Sequence, residues 1–357
     1  MIQELKFKNY KSFKDEVILS FEATKDTTFE DYHVVEVVPG VRLLRFAMVY
    51  GANASGKSNL LDAINFLQNF LFFKADDLSE PTGTVPFKLD AATPNEPSEF
   101  SLKFYVGETK YWYELKLTPH NVISEKLYYY DSPQPKKLFD RKLKDGQSVI
   151  TFNPATVKIS AAAKEEISLK CLPNMSFFAA RNQVNIAIDK VDIAKEWLRK
   201  NLMPIINPTT GMFDYASSKM YNNAALKAYL LDFVHQADFN ISDVKSDKVS
   251  EKLPQQFVNM IIADDSAPDE IKERLKSEQV ITRIQTMFEH TVKNERGVEK
   301  YLMSTDSQSE GTKRTIGIEA AVYEAMETES FLFIDEIESS LHPELVEFIL
   351  QKFLSKK

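Results

Sequence analysis

Eight consecutive residues, Gly51-Ala52-Asn53-Ala54-Ser55-Gly56-Lys57-Ser58, have the makings of a phosphate cradle. Gly51 and Gly56 let the backbone curl so that successive N–H groups point at phosphate oxygens, and a helix starting just beyond adds its positive end. In that pattern Asn53, Ala54 and Ser55 line the loop and Asn59 opens the helix. Lys57 reaches the β- and γ-phosphates of a nucleotide, and the Ser58 hydroxyl is a ligand for Mg2+. The short pattern recurs by chance, so its flanks decide. Before it, VRLLRFAMVY (residues 41–50) is densely apolar and predicts a strand in the middle of a sheet covered on both faces. After it, Leu60, Leu61, Ile64, Phe66, Leu67, Phe70 and Leu71 recur at helical spacing. Strand, glycine loop and helix follow in the order that a phosphate loop needs.

Such a loop needs a carboxylate from another buried strand. SFLFIDEIESS (residues 330–340) supplies one: Phe331 to Ile334 predict a short apolar strand, with Asp335 and Glu336 at its end. Asp335 suits Mg2+ held through its water shell, the Walker B role, and Glu336 is placed to polarise an attacking water as general base. The same residues also suit a helix N-terminus, which is the alternative reading. Just upstream, DSQSEGTKRTIGIEAAVYEAM (residues 306–326) reads as a polar loop and a long helix, headed by Ser309, Glu310 and Gly311. A serine hydroxyl and a glycine N–H at a helix start form an anion-binding surface. The bland alternative is a serine cap.

Around these pieces, Ile2 to Phe7 and Val17 to Phe21 predict two strands joined by the turn NYKSFKDE. From Glu99 to Tyr130 the pattern has period two and predicts an antiparallel meander. Tyr128 to Tyr130 are expected on alternate faces of one strand, with a base-stacking platform as the rival reading. Residues 135–146, PKKLFDRKLKDG, read as a basic hairpin tip whose charges solvate a turn or contact nucleic acid. Helical patterns fill the middle, and Val280 to Val292 predict a strand. The expected organisation is an ATPase lobe over residues 1–184, a helical insertion over 185–279 and a second ATPase lobe over 280–357.

Composition narrows the function. No apolar run approaches the roughly 20 residues of a membrane span, and the start lacks a signal peptide's apolar stretch. Cys171 is the single cysteine, which excludes an internal disulfide and a cysteine-rich zinc site and fits a reducing cytoplasm. The 25 Phe and 14 Tyr argue against disorder. A net charge of −8 demotes a role in coating nucleic acid, although an acidic chain can carry a local basic groove. His33, His120, His235 and His290 are scattered, with no metal cluster and no nucleophilic triad signature, so Mg2+ is the metal expected.

In their order along the chain, GANASGKSN, SQSEGTK and FLFIDEIESSLHPEL resemble the RecF/SMC-like branch of ABC ATPases, and LKFKNYKSF is similar to that family's opening. The LHP after the acidic pair and the compact insertion resemble bacterial anti-phage defence ATPases, namely the OLD family and the Rlo-type and PARIS-type subunits. The motifs cover about residues 1–70 and 300–350. The resemblance implies an α/β ABC-type head with an antiparallel meander and a helical insertion. It implies ATP and Mg2+ as cofactors, and a homodimer or larger assembly in which Ser309 and Gly311 of one subunit cap nucleotide held by the other. Ser339, Ser340 and Leu341 would form the adjoining D-loop, and hydrolysis at Glu336 would open the closed state. A separate nuclease or toxin effector and a phage-derived trigger are implied partners; DNA is the alternative partner, as for a RecF-like repair ATPase. Only residues 336–357 follow Asp335, enough for the helix PELVEFILQKFL, so a later strand and switch histidine are expected to be missing or supplied elsewhere. His342 stands too early for that histidine, and neither Gln68 nor Gln183 is assignable as the Q-loop glutamine.

Overall fold

Alternation of apolar and polar residues with a period of two becomes a seven-stranded antiparallel sheet. The computed structural model describes residues 1–354 apart from 238, 265, 266, 268 and 279. The chain divides into two units, one of Met1–Ile205, Thr328–Asp335 and Leu350–Lys357, the other of Ile206–Glu327 and Glu336–Ile349.

The first unit opens with β1 (Ile2–Lys8), β2 (Val17–Ser20), a single helical turn α1 (Glu30–His33), β3 (Val34–Val38) and β4 (Val41–Leu44). Then come α2 (Lys57–Phe72), β5 (Ser98–Val106), β6 (Thr109–Leu117), β7 (Val122–Tyr130), β8 (Lys136–Lys144) and β9 (Gln147–Phe152). Helices α3 (Ala161–Lys170), α4 (Phe177–Arg181) and α5 (Asp189–Lys200) close the series. The large sheet runs β2-β1-β5-β6-β7-β8-β9. Its buried face meets helices through aromatic pairs: Phe66 of α2 lies 5.1 Å from Phe100, and Trp197 of α5 stacks on Phe104 at 4.6 Å. Such pairs contribute beyond their buried area. The opposite face is half-exposed and carries cross-strand ion pairs, Lys103–Glu4 at 2.9 Å and Lys116–Glu99 at 2.7 Å. Trp112 stacks on Tyr128 there at 4.9 Å. Tyr129 is buried while Tyr128 and Tyr130 are half-buried on the other face, as the alternation predicts.

Three expectations are corrected in this unit. Residues 135–146 are not a hairpin tip: β8 occupies most of them, and the turn is Asp145-Gly146, with φ of 50° and 76°. Arg141 of β8 is fully buried, because Glu125 is buried opposite it and their charges meet at 2.9 Å. Leu172 O and Ser148 Oγ also accept from its guanidinium, and Tyr113 OH and Phe177 N donate to Glu125. Burial raises the Glu125 carboxyl above its ordinary value, with Arg141 pulling the other way. The apolar run 41–50 is not a central strand either. Only Val41–Leu44 is extended, paired with β3 in a two-stranded sheet, and Met48, Val49 and Tyr50 are exposed, Tyr50 to 79%. Phe331 to Ile334 likewise form no continuous strand; Phe331 makes one parallel bridge to Leu202 and packs its ring against Phe21 at 5.6 Å.

The second unit holds α6 (Met212–Asn222), α7 (Ala224–Gln236), β10 (Asp243–Lys252), α8 (Gln255–Ala263) and α9 (Asp269–Glu278). It continues with β11 (Val280–Asn294), β12 (Gly297–Ser304) and α10 (Glu310–Thr328), and α11 (Pro343–Phe353) follows near the end of the chain. Strands β10, β11 and β12 form an antiparallel sheet in that order, so the middle read as helical contains a strand. Pairing with the long β11 over ten positions holds β10 extended despite its charged composition. Gln279, the expected end of the helical stretch, lies outside the described residues. Among the described residues, no helix is long and apolar enough to cross a membrane.

The Arg141–Glu125 pair generates a stability prediction. Glu125→Leu leaves a buried guanidinium without its carboxylate and is expected to cost about 3–5 kcal/mol in urea denaturation followed by tryptophan fluorescence. Glu125→Leu combined with Arg141→Met should recover most of that loss; an unchanged midpoint in the single variant would contradict the pair's role.

Candidate functional site

Helix α2 starts where it does because Gly56 has φ 98°, a left-handed conformation that turns the loop into the helix in one residue. Ala54 is also left-handed at φ 62°, and Ser55 N donates to Ala52 O at 3.2 Å. The loop folds over its own lysine: Lys57 Nζ donates to Gly51 O at 2.9 Å and Ala52 O at 3.1 Å. Gly51, Asn53, Ala54, Ser55 and Ser58 are exposed, with Asn59 half-buried. Loop N–H groups, an ammonium group and the positive end of a 16-residue helix therefore gather at one open surface. That donor set fits a phosphate chain. Space confirms the need for glycine, since a Cβ on Gly56 would lie 2.8 Å from the Phe13 ring and 2.9 Å from Ser12 Oγ.

Those two neighbours belong to the β1–β2 turn, whose residue pattern does not itself indicate a contact with the glycine loop. The turn clasps the loop and the first turns of α2. Asn59 Nδ2 donates to Ser12 Oγ at 2.9 Å, and Tyr10 OH donates to Asp62 Oδ2 at 2.6 Å. Lys11 forms an ion pair with the same carboxylate. Burial, with Asp62 next to it, pushes the Tyr10 hydroxyl far above its ordinary pKa, so it remains a donor. Nothing local in NYKSF says that it packs against residues about fifty positions later; only the pairing of β1 within the sheet brings it there.

Asp335 is half-buried at the end of the Phe331 segment, behind the buried Phe333. Among the described residues, no hydrogen bond or ion pair joins Asp335 to Lys57 or Ser58; the lysine's bonds go to loop carbonyls. Gln68 and Gln183 spend their side chains on backbone carbonyls, of Leu202 and Ala179 respectively.

In the second unit, Ser309 caps α10: its Oγ accepts from Thr312 N at 3.0 Å and lies 2.8 Å from Thr312 Oγ1. The serine-cap reading therefore holds, and it does not exclude an anion, because Ser309 and Glu310 are exposed while most of the following helix is buried. Gly311 is half-buried, and a Cβ there would lie 2.8 Å from Ser340 O. Glu336 is exposed with φ 48°, and its carbonyl accepts from Ser339 N at 2.9 Å. His342 begins α11, its carbonyl accepting from Leu345 N at 2.9 Å and Val346 N at 3.1 Å. Among the described residues, no three His, Cys, Asp or Glu side chains gather as a metal cluster. Mg2+ does not require one, since it keeps several waters and substrate phosphate oxygens as ligands. Buried Cys171 has its thiol pushed up by burial.

A family model described as "AAA domain, putative AbiEii toxin, Type IV TA system" matches residues 46–158 and 212–357. The phosphate loop, Ser309, Gly311, Asp335 and Glu336 all fall inside the matched ranges. No curated protein matches the chain. Among solved structures, the chain is similar to one titled "Crystal structure of the SmcHead bound to the C-winged helix domain of ScpA". The identity is 13% and the TM-score 0.39, over 99% of this chain and 85% of that one, a likeness too distant to carry a functional argument.

The crowding at Gly56 is directly testable. Gly56→Ala forces a Cβ into the Phe13–Ser12 contact at a left-handed φ, a strain of about 1–3 kcal/mol. Thermal melting should fall, and the stabilisation given by added ATP should disappear. Unchanged melting with and without ATP would show that the loop does not need this glycine.

Proposed function

The chain belongs to the AAA domain family described as putative AbiEii toxin, Type IV TA system, and on that footing we propose that it is a Mg2+- and ATP-dependent ATPase of ABC type that closes a dimer around nucleotide. The observation that carries this reading is the left-handed Gly56, which starts α2 directly behind an exposed loop that folds over its own lysine. Gly51 to Gly56 would wrap the phosphates and Lys57 would neutralise them, with Ser58 and Asp335 holding Mg2+ directly and through water. Bound Mg·ATP supplies the scissile phosphoanhydride and the charge that draws subunits together. Glu336 would take a proton from the attacking water.

Ser309 and Gly311 would face the nucleotide of a second copy. Supporting this is the exposed head of α10, whose cap leaves the helix's positive end open to an anion. Dimer closure would make turnover depend on both copies, with Ser339, Ser340 and Leu341 adjoining. The family description as a toxin of a type IV system supports a defence role over DNA repair. In that role the ATPase is cytoplasmic and restrains a separate nuclease or toxin effector until a phage-derived signal alters the assembly. A net charge of −8 and a sheet face whose lysines are paired with Glu4 and Glu99 weigh against a DNA clamp.

Glu336→Gln should hold an ATP-bound dimer in light scattering, and Lys57→Ala should bind no ATP. Ser309→Arg should bind ATP yet stay monomeric, with about 1 kcal/mol lost from the cap. A Glu336→Gln protein that is monomeric at saturating ATP would refute closure. Turnover stimulated by duplex DNA with a steep salt dependence would favour the RecF-like alternative.

A further inference from the structure

Three arginines are buried among the described residues: Arg141, Arg181 and Arg314, the last 9% exposed. Arg141 is paired with Glu125 and Arg181 with Asp192. Arg314 has no carboxylate partner in the described structure; carbonyls alone hold it. Its Nη1 donates to Asn207 O at 3.2 Å and Pro208 O at 3.0 Å, its Nη2 to Glu336 O at 3.3 Å, and its Nε is buried without a partner. Burying a guanidinium on backbone carbonyls is costly, and an apolar side chain would fill the space more cheaply.

What the arrangement does is visible in the loop it grips. Glu336 and Ser340 are both non-glycine residues in the left-handed region, at φ 48° and 64°. Such backbone persists only where its surroundings over-determine it. The first turns of α10 hold both positions. Gly311 lets Ser340 O approach to where a Cβ would be 2.8 Å away, and Arg314, one turn on, grips the carbonyl of Glu336. The guanidinium is anchored from the other side by residues 207 and 208. Burial lowers the guanidinium below its ordinary value, with Glu336 and Glu338 pulling the other way.

We propose that Arg314 is a positioning residue: by holding the Glu336 carbonyl it sets the backbone from which the Glu336 carboxylate is aimed, and it ties that aim to the head of α10. This rests on the reading of Glu336 as the base. Any displacement of the Ser309–Gly311 end would then reach Glu336 through one guanidinium, so that what docks on the helix head governs hydrolysis.

The test compares Arg314→Ala, Arg314→Lys and Glu336→Gln, singly and as Arg314→Ala/Glu336→Gln, in the full chain. Readouts are kcat and KM for ATP, binding of a fluorescent ATP analogue, and melting temperature. Arg314→Ala should lower kcat at least about tenfold, since a misaim near 1 Å costs about 100-fold, with analogue affinity held within about threefold. Arg314→Lys, which keeps one donor, should fall between; it also serves if the alanine variant does not fold. In the Glu336→Gln background, Arg314→Ala should slow residual turnover no further. Wild-type kcat in both Arg314 variants, or an Arg314→Ala defect that multiplies fully onto Glu336→Gln, overturns the proposal while leaving Glu336 as base. Wild-type turnover in Glu336→Gln overturns the base reading, and this inference with it.

Discussion

Gly56 has neither room for a side chain nor a right-handed backbone, and the shape of the glycine loop in the first unit depends on that constraint. The Phe13 ring and Ser12 Oγ fill the space that a Cβ would need. Loop, helix and N-terminal turn are thereby fitted to one another. The fit is imposed from the core: Phe66 and Phe100 set α2 on the sheet, β1 places the turn, and Phe7 packs edge-on against Phe13 at 5.2 Å. Asp62 then fastens Tyr10 and Lys11 from the helix side. The phosphate recognition proposed for this loop needs its backbone held in place, and the loop is only as well aimed as the aromatic core behind it.

The buried charges divide by task. Arg141 and Glu125 lie inside the aromatic core with Tyr113 and the N-terminus of α4 satisfying the carboxylate, an arrangement that fixes how β7, β8 and α4 meet. Arg181 joins Asp192 and two carbonyls just past α4. Arg314 differs because its acceptors are peptide carbonyls on segments without regular structure, one of them in a strained loop. A guanidinium can serve three separate carbonyls at once because its donors fan out in a plane.

The meander was legible because each strand alternates cleanly, and the helix after the phosphate loop because its apolar residues recur at 3.6-residue spacing. The candidate chemistry-bearing residues were proposed from type and spacing, which are local in the same way. Three regions misled. VRLLRFAMVY looks like a buried central strand, yet hydrophobicity does not specify which sheet a strand joins, and the strand is only Val41–Leu44, paired with β3. PKKLFDRKLKDG looks like a solvated tip because Lys and Arg are rarely buried; Glu125, directly opposite on β7, reverses that for Arg141. DVKSDKVSEK has a charged composition, and its extension as β10 comes from the register with β11.

Residue identity alone nominated the groups proposed to bind phosphate, carry Mg2+ or take a proton, because those capacities belong to the side chains and to glycine's backbone freedom. It also settled the helix and meander, whose periodicities are local. Tertiary structure alone decided that the β1–β2 turn walls the phosphate loop, that Arg141 is buried, and that Arg314 grips the Glu336 carbonyl. Each of those depends on how separate elements pack and pair, and the identity of such partners is not written in local spacing.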